Sequence, residues 1–254
     1  MKITLSAQGL LYILLALCTV ISNPVFSAEG NTANQSFSKA KKLLLRDVYS
    51  KLPKSTIYCN ATFNAKKIIV DPNGFESNKY IKRGHKVEWE HVVPAENFGR
   101  TFVEWREGDP RCVSSKGKSF KGRNCAGKVN NEYRYMQADM YNLYPAIGAV
   151  NALRSNYNFT MLNEPSKQLG GCEIQIISKI SKAMPPDYAK GIVARVYLYM
   201  SATYPRYHVS NAQNKLFAAW SKRYPVTKVE CKRNRLIESI QGNENSIMKA
   251  LCEK

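Results

Sequence analysis

Glu88-Trp89-Glu90-His91-Val92-Val93-Pro94-Ala95 is the stretch on which the reading of this chain turns. With Lys86 and Val87 before it, the run is dense in β-branched and aromatic residues and reads as a strand over 86–93, stopped by Pro94. Successive side chains of a strand point to opposite faces, so Glu90 and His91 share no face within it. At a strand end bent by Pro94, however, both reach one crowded site, one as a metal ligand and the other as a base. A half-buried, hydrogen-bonded histidine is the plainer reading, and position alone does not separate the two. The chain has three histidines. His85 sits in the cationic string Lys82-Arg83-Gly84-His85-Lys86. His208 follows Tyr204-Pro205-Arg206-Tyr207 and has no carboxylate neighbour. If imidazole does acid–base work near neutral pH, these three are the candidates.

Outward from that stretch, the 254 residues are 44% hydrophobic and 11% aromatic, enough to build a core and to exclude a wholly disordered chain. No shift in composition marks a boundary between two domains. The charge is lopsided: 38 Lys+Arg against 19 Asp+Glu leave +19, which argues for a polyanionic partner. Lys116, Lys118, Lys121 and Arg123 crowd the stretch between Cys112 and Cys125, and Lys228, Lys232, Arg233 and Arg235 crowd another around Cys231. Some of these are ordinary solvated charges. As phosphate contacts they give affinity without sequence information. No recognition-helix pattern, zinc finger or RNP string is present, so base-specific readout is not expected.

Met1-Lys2, the apolar run 10–21 and the small residues of Pro24-Val25-Phe26-Ser27-Ala28 read as an export leader over residues 1–28, ahead of one domain over 29–254. The run is short for a membrane span, and an uncleaved anchor is the alternative. Removal of the leader takes Cys18 and leaves Cys59, Cys112, Cys125, Cys172, Cys231 and Cys252. An even number in an exported chain implies three disulfides. A zinc site is the rival, but no pair of cysteines or histidines has metal-ligand spacing. Proximity pairs Cys112 with Cys125 and Cys231 with Cys252, leaving Cys59 for Cys172.

Phe37, Ala40, Leu44 and Val48 recur at helical spacing, so 36–50 reads as an amphipathic helix. Residues 66–71, followed by Pro72-Asn73-Gly74, read as a strand and turn. The stretch 99–130 reads as a long loop held by Cys112 and Cys125. Helices are expected over 130–142, over 145–154 with Pro145 in its first turn, and over 187–202, 211–221 and 233–241.

The central octet resembles the signature of the bacterial endonuclease I family of periplasmic or secreted nucleases. The resemblance continues in Gly122-Arg123-Asn124-Cys125-Ala126, in Tyr133-Arg134, in Asp139-Met140-Tyr141-Asn142-Leu143, and in Pro145-Ala146-Ile147-Gly148-Ala149-Val150-Asn151 with Arg154-Ser155-Asn156. It spans about residues 36 to 225, in order. What it implies is an α+β fold, a mixed single domain centred on a ββα-metal (His-Me) finger and stapled by disulfides. By the same resemblance His91 matches the general base, Arg123 the arginine at the scissile phosphate, and Glu90 and Asn151 the metal ligands. Where relatives often carry a glutamate before Asp139, this chain has Gln137, which puts that position's electrostatic part in question. Asn142 is the competing amide; Asn151 is preferred because Asn142 falls on a preceding element.

Such a site has a coherent chemistry. Oxygen ligands without thiolates suit Mg²⁺ or a similar hard cation, not zinc. The expected function is therefore an exported, metal-dependent endonuclease acting on DNA, with RNA open as a second substrate, and working in the periplasm or outside the cell as a monomer. The competing function is a noncatalytic cationic protein that grips nucleic acid or anionic glycans. Both need the basic surface; only the enzyme needs Glu90, His91 and Asn151 together.

Overall fold

Ser36 starts the ordered core: its hydroxyl accepts a hydrogen bond from Lys39 N and caps α1 (Phe37–Leu43). The helix expected over 36–50 changes hand-over of hydrogen bonds partway, passing into a π-helical turn at Leu44–Val48. Ala40, Leu44 and Val48 are fully buried all the same, so the apolar stripe read from the sequence does face the core. The computed structural model describes residues 29–163 and 168–253, and the leader expected over 1–28 lies outside them. After α1 come β1 (Thr62–Phe63), β2 (Ile69–Asp71), α2 (Ile81–Gly84), β3 (Val87–His91), α3 (Ala95–Gly99), α4 (Val103–Arg106), α5 (Arg123–Val129), α6 (Asn131–Gln137), β4 (Leu143–Ile147) and α7 (Gly148–Arg154). Then follow β5 (Asn158–Phe159), β6 (Gln175–Ile177), β7 (Lys182–Met184), α8 (Asp187–Thr203), α9 (Asn211–Arg223), α10 (Lys228–Gln241) and α11 (Ser246–Cys252).

The strands form small sheets, not one large one. β1 pairs with β2 and β3 with β4, both antiparallel, while β7 lies between β5 (parallel) and β6 (antiparallel). Around them the helices share one buried core that runs from Ala40 to Ile237, so the fold is a single mixed α+β domain. The β3–β4 register sets Glu88 opposite Ala146, Trp89 opposite Pro145, Glu90 opposite Tyr144 and His91 opposite Leu143.

That pairing corrects the helix expected over 145–154. Residues 143–147 are strand and the helix begins only at Gly148. Proline lacks an N–H, but β4 has a partner strand on one edge alone, and the Pro145 carbonyl accepts Ile57 N at 2.9 Å. Gly148 then allows the close approach of the next helix: a Cβ there would lie 2.7 Å from Arg83 O and 2.8 Å from Glu88 Oε1. Two more expectations change. The helix over 130–142 ends at Gln137, where the Asp139 carboxylate accepts Tyr141 N and starts a 3₁₀ turn, Met140–Asn142. The stretch 99–130 is not one loop, because α4 and α5 fold within it; residues 107–122 between them, with the basic tip around Gly117, remain irregular.

Three disulfides join Cys59 to Cys172, Cys112 to Cys125 and Cys231 to Cys252, the pairing that proximity suggested. Each serves a different join. Cys59–Cys172 closes 113 residues and lies beside Tyr58, Cys112–Cys125 pins the first turn of α5, and Cys231–Cys252 ties α10 to α11. Among the described residues no helix is long and apolar enough to cross a membrane.

Candidate active site

The open edge of β3 explains how neighbouring residues of one strand reach the same space. β4 covers the other edge, and side chains from both faces of β3 line a cleft of about 600 Å³. Glu88, Glu90 and His91 line it from β3, Asn151 from α7 and Arg123 from the first turn of α5. All four residues singled out in the sequence therefore meet in one cleft. His85 and His208 are exposed and do not line it.

His91 is buried and held on three sides. Its ring lies 4.8 Å from that of Phe37 and 6.2 Å from that of Phe98, centroid to centroid. Its Nε2 is 2.9 Å from the backbone carbonyl of Gln137. A carbonyl can only accept, so Nε2 carries the proton and Nδ1 keeps the lone pair. The contact uses the Gln137 backbone, so an amide in place of a glutamate side chain leaves it intact. Burial, then the charge of Arg123, pushes the imidazole from its ordinary 6.5 down to about 3. His91 is thus a fixed, neutral acceptor across the working range of pH.

This depression has a sign that can be checked. The unfolded chain takes up a proton on this imidazole below pH 6.5, and the folded protein does so only near pH 3. Between those values the unfolded state binds more protons, so acidification removes stability, by about 1.4 kcal/mol per pH unit. Glu90 and Asp139 work in the opposite direction, because burial raises both carboxyls and the folded state then holds their protons more readily. Urea titrations of wild type and His91→Gln at pH 7.5 and 5.5 isolate the histidine: wild type should lose about 1.4 kcal/mol more than the variant between the two. Equal losses would show that the ring is not buried neutral.

The two carboxylates on the opposite face of β3 have separate partners on α7, one helical turn apart. Glu88 accepts Asn151 Nδ2 at 3.1 Å and is gripped by Arg83 through Nε at 2.8 Å and Nη2 at 2.5 Å. Burial pushes the Glu88 carboxyl up, but Arg83 more than offsets it and the net shift is downward. Glu90 Oε1 accepts Arg154 Nη1 at 2.6 Å and Tyr58 OH at 2.9 Å. Burial pushes the Glu90 carboxyl up, against the pull of Arg154 and Tyr58. Arg154 also donates to the carbonyls of His91 and Val92, at 2.8 and 2.6 Å. Asn151 thus contacts Glu88, and no hydrogen bond joins it to Glu90.

Glu88, Tyr58 and Arg154, which hold Asn151 and Glu90 by hydrogen bonds, were given no role on the sequence alone. The i, i+2 spacing of Glu88 and Glu90 and the i, i+3 spacing of Asn151 and Arg154 contained the signal: two elements, each presenting two polar residues on one face. Asn142 is settled as structural, since its amide is used in both directions by the backbone of Val93, at 2.7 and 3.0 Å. Arg233 leaves the second basic cluster: it is buried, donates to Met140 O and Leu143 O, and stacks 3.7 Å over the Tyr144 ring. Lys116, Lys118 and Lys121 remain exposed.

At the mouth the cleft is cationic. Arg123 Cζ and Lys41 Nζ lie over the Phe37 ring at 5.2 and 4.5 Å. Burial, then Lys67 and Arg123, lowers the Lys41 ammonium, a sign of crowded like charges facing one space. The donor set for a metal is small. Glu90 and Asn151 line the cleft, and Glu90 Oε2 and Asn151 Oδ1 accept no hydrogen bond among the described residues; no three His, Cys, Asp or Glu among the described residues are placed to hold an ion together. One carboxylate and one amide oxygen, with water completing the shell, suit a hard divalent ion.

An oriented neutral imidazole, hard oxygens and, in Lys41, Lys67 and Arg123, cations without a carboxylate partner among the described residues make one cleft suited to chemistry on an anionic substrate. The comparisons agree with that class and narrow it. A sequence model of the Endonuclease I family matches residues 22–250. The chain is 37% identical over 250 residues to the periplasmic deoxyribonuclease of Aeromonas hydrophila, covering 96% of this chain and 97% of that protein. It is 36% identical over 245 residues to an extracellular deoxyribonuclease of Aeromonas hydrophila, covering 94% and 98%. It is 34% identical over 225 residues to Endonuclease-1 of Buchnera aphidicola, covering 87% and 83%. The chain belongs to the Endonuclease I family.

Proposed function

We propose that the chain is an exported endonuclease that hydrolyses DNA phosphodiester bonds with a divalent metal, Mg²⁺ or a similar hard ion, and without base readout. In this reading the β3–β4–α7 unit is a ββα-metal finger, residues 1–28 are an export leader, and residues 29–254 are the working domain, a monomer in the periplasm or outside the cell. RNA is a second substrate that the same chemistry accommodates. The observation that carries the reading is His91: buried, neutral and locked by Gln137 in a cleft that also holds Glu90, Asn151 and Arg123. The names of the relatives, a periplasmic and an extracellular deoxyribonuclease and an endonuclease-1, support it.

Each residue then has a task. His91 Nδ1 takes the proton of the attacking water; its depressed basicity matters less than its fixed orientation, since the lone pair is free at any working pH. Arg123, exposed at the start of α5, meets the charge of the phosphate. Glu90 and Asn151 would hold the cation, which when bound supplies charge stabilisation at the phosphate and at the leaving oxygen. Glu88 fixes the Asn151 amide: by accepting from Nδ2 it leaves Oδ1 for the cation. Tyr58 and Arg154 occupy one Glu90 oxygen and leave the other for the cation.

Mature protein mixed with supercoiled plasmid tests the reading. Mg²⁺ should yield nicked, then fragmented DNA, and EDTA should stop the reaction. Retardation of the plasmid with no strand breaks in either condition would make the chain a cationic binder and overturn the proposal.

A further inference from the structure

Between residues 66 and 86 the chain carries six Lys or Arg against two Asp or Glu; Ile69 and Phe75 pack against the core, and four other apolar residues are exposed. Tyr80 is 50% exposed, Ile81 61%, Val70 60% and Ile68 46%. Scattered single apolar residues on a surface need no explanation, but four within such a cationic stretch do. Tyr80 stands out among them for its backbone. It lies in the left-handed region at φ 54° and ψ 37°, a conformation that Gly or Asn takes at little cost and an aromatic residue does not. A tyrosine kept there against local preference points to a use for its ring.

The ring is coupled to the cleft through one side chain. Arg83 Cζ lies over the Tyr80 ring at 5.5 Å, while its Nε and Nη2 hold Glu88, which lines the cleft beside Asn151. The guanidinium thus lies over the ring and leaves the residue half exposed, next to an arginine that lines the cleft. Lys67, which also lines the cleft, is on the same stretch of chain, as are the exposed Lys79, Lys82 and Lys86.

We propose that Tyr80 is a stacking platform at the Arg83 end of the cleft that takes an unpaired base of a single-stranded segment whose backbone phosphates lie on the neighbouring lysines. The proposal rests on reading the cleft as a nucleic-acid site and adds a subsite to it. Charge selects a polyanion, and continuity with the cleft selects the one whose phosphates the cleft would hold. A flat ring face beside cations matches how unpaired bases are gripped without sequence preference. Duplex DNA keeps its bases stacked on one another and offers the ring nothing equivalent. The subsite therefore discriminates strand state.

The test is equilibrium binding of a fluorescein-labelled thymidine oligonucleotide and of a blunt duplex hairpin to full-length mature protein in EDTA. Tyr80→Asn removes the ring while relieving the left-handed backbone, so folding is not at issue, and its urea midpoint should be no lower than wild type. For the single strand its Kd should rise by about tenfold. Tyr80→Phe, which keeps the ring, should stay within about twofold of wild type. Duplex affinity should change little in either variant. An unchanged single-strand Kd in Tyr80→Asn overturns the proposal, as does an equal loss for duplex. Cosedimentation with anionic phosphatidylglycerol vesicles that depends on Tyr80, with single-strand binding unaffected, would assign the surface to membranes instead. Plasmid cleavage is read separately: if wild type binds as expected yet never cuts, the enzymatic reading fails and the stacking result stands.

Discussion

His91→Ala is expected to lower DNA cleavage by about 10²–10⁴-fold while leaving affinity for DNA measured in EDTA within a factor of a few. The substitution removes the group proposed to accept the water proton, yet it leaves the exposed lysines and Arg123 in the chain. His85→Ala and His208→Ala should retain most activity, since both residues are exposed and neither lines the cleft. Glu90→Ala and Asn151→Ala should also lose activity, the amide more mildly. For these two, extra Mg²⁺ should restore part of the rate, because what is weakened is cation binding. It should not do so for His91→Ala. Normal cleavage by His91→Ala would end the assignment of the base, and an inactive His85→Ala beside it would move the site to Arg83-Gly84-His85.

How much of this could be read from sequence differs between the fold and the site. The octet around His91 was legible because a strand, a proline stop and two ionisable residues fall within it. The cysteine pairing was legible because two pairs are local and the third follows by elimination. The strand over 143–147 was not. Pro145 signals a helix start when only local rules are weighed, and what makes it a strand is pairing with β3, more than fifty residues earlier in the chain. Cationic clusters were legible as composition but not residue by residue: Arg233 looks like Lys232 in the sequence and is buried under Tyr144 in the fold. At the site, the four residues singled out in the sequence line one cleft, while the side chains that hold them were not singled out. Arg83, Tyr58 and Arg154 act through distances set by tertiary packing, which no spacing along the chain encodes.

Arg154 shows why such residues matter. It is fully buried and donates four hydrogen bonds: to Glu90, to the carbonyls of His91 and Val92, and to Tyr197. Burial alone would lower its basicity, and the charge of Glu90 beside it turns the shift upward, so the guanidinium stays charged. Arg154→Met would leave the Glu90 carboxylate in the interior with Tyr58 as its remaining hydrogen-bond donor, and would strip the partner from two backbone carbonyls. Removal of one member of a buried pair typically costs about 3–5 kcal/mol, and the unpaired carbonyls add to it. Urea unfolding at pH 7.5 should show a loss in that range. Arg154→Lys should be intermediate, because a lysine keeps the charge but cannot reach Glu90, His91 O and Val92 O at once. The double variant Arg154→Met with Glu90→Gln should regain part of the stability, since no buried charge remains, and none of the activity, since the carboxylate is gone. That divergence distinguishes a strut for the strand that carries Glu90 and His91 from a mere core filler. If Arg154→Met cost less than about 1 kcal/mol, or if the double variant recovered activity along with stability, Arg154 would not be what holds Glu90 and His91 in place.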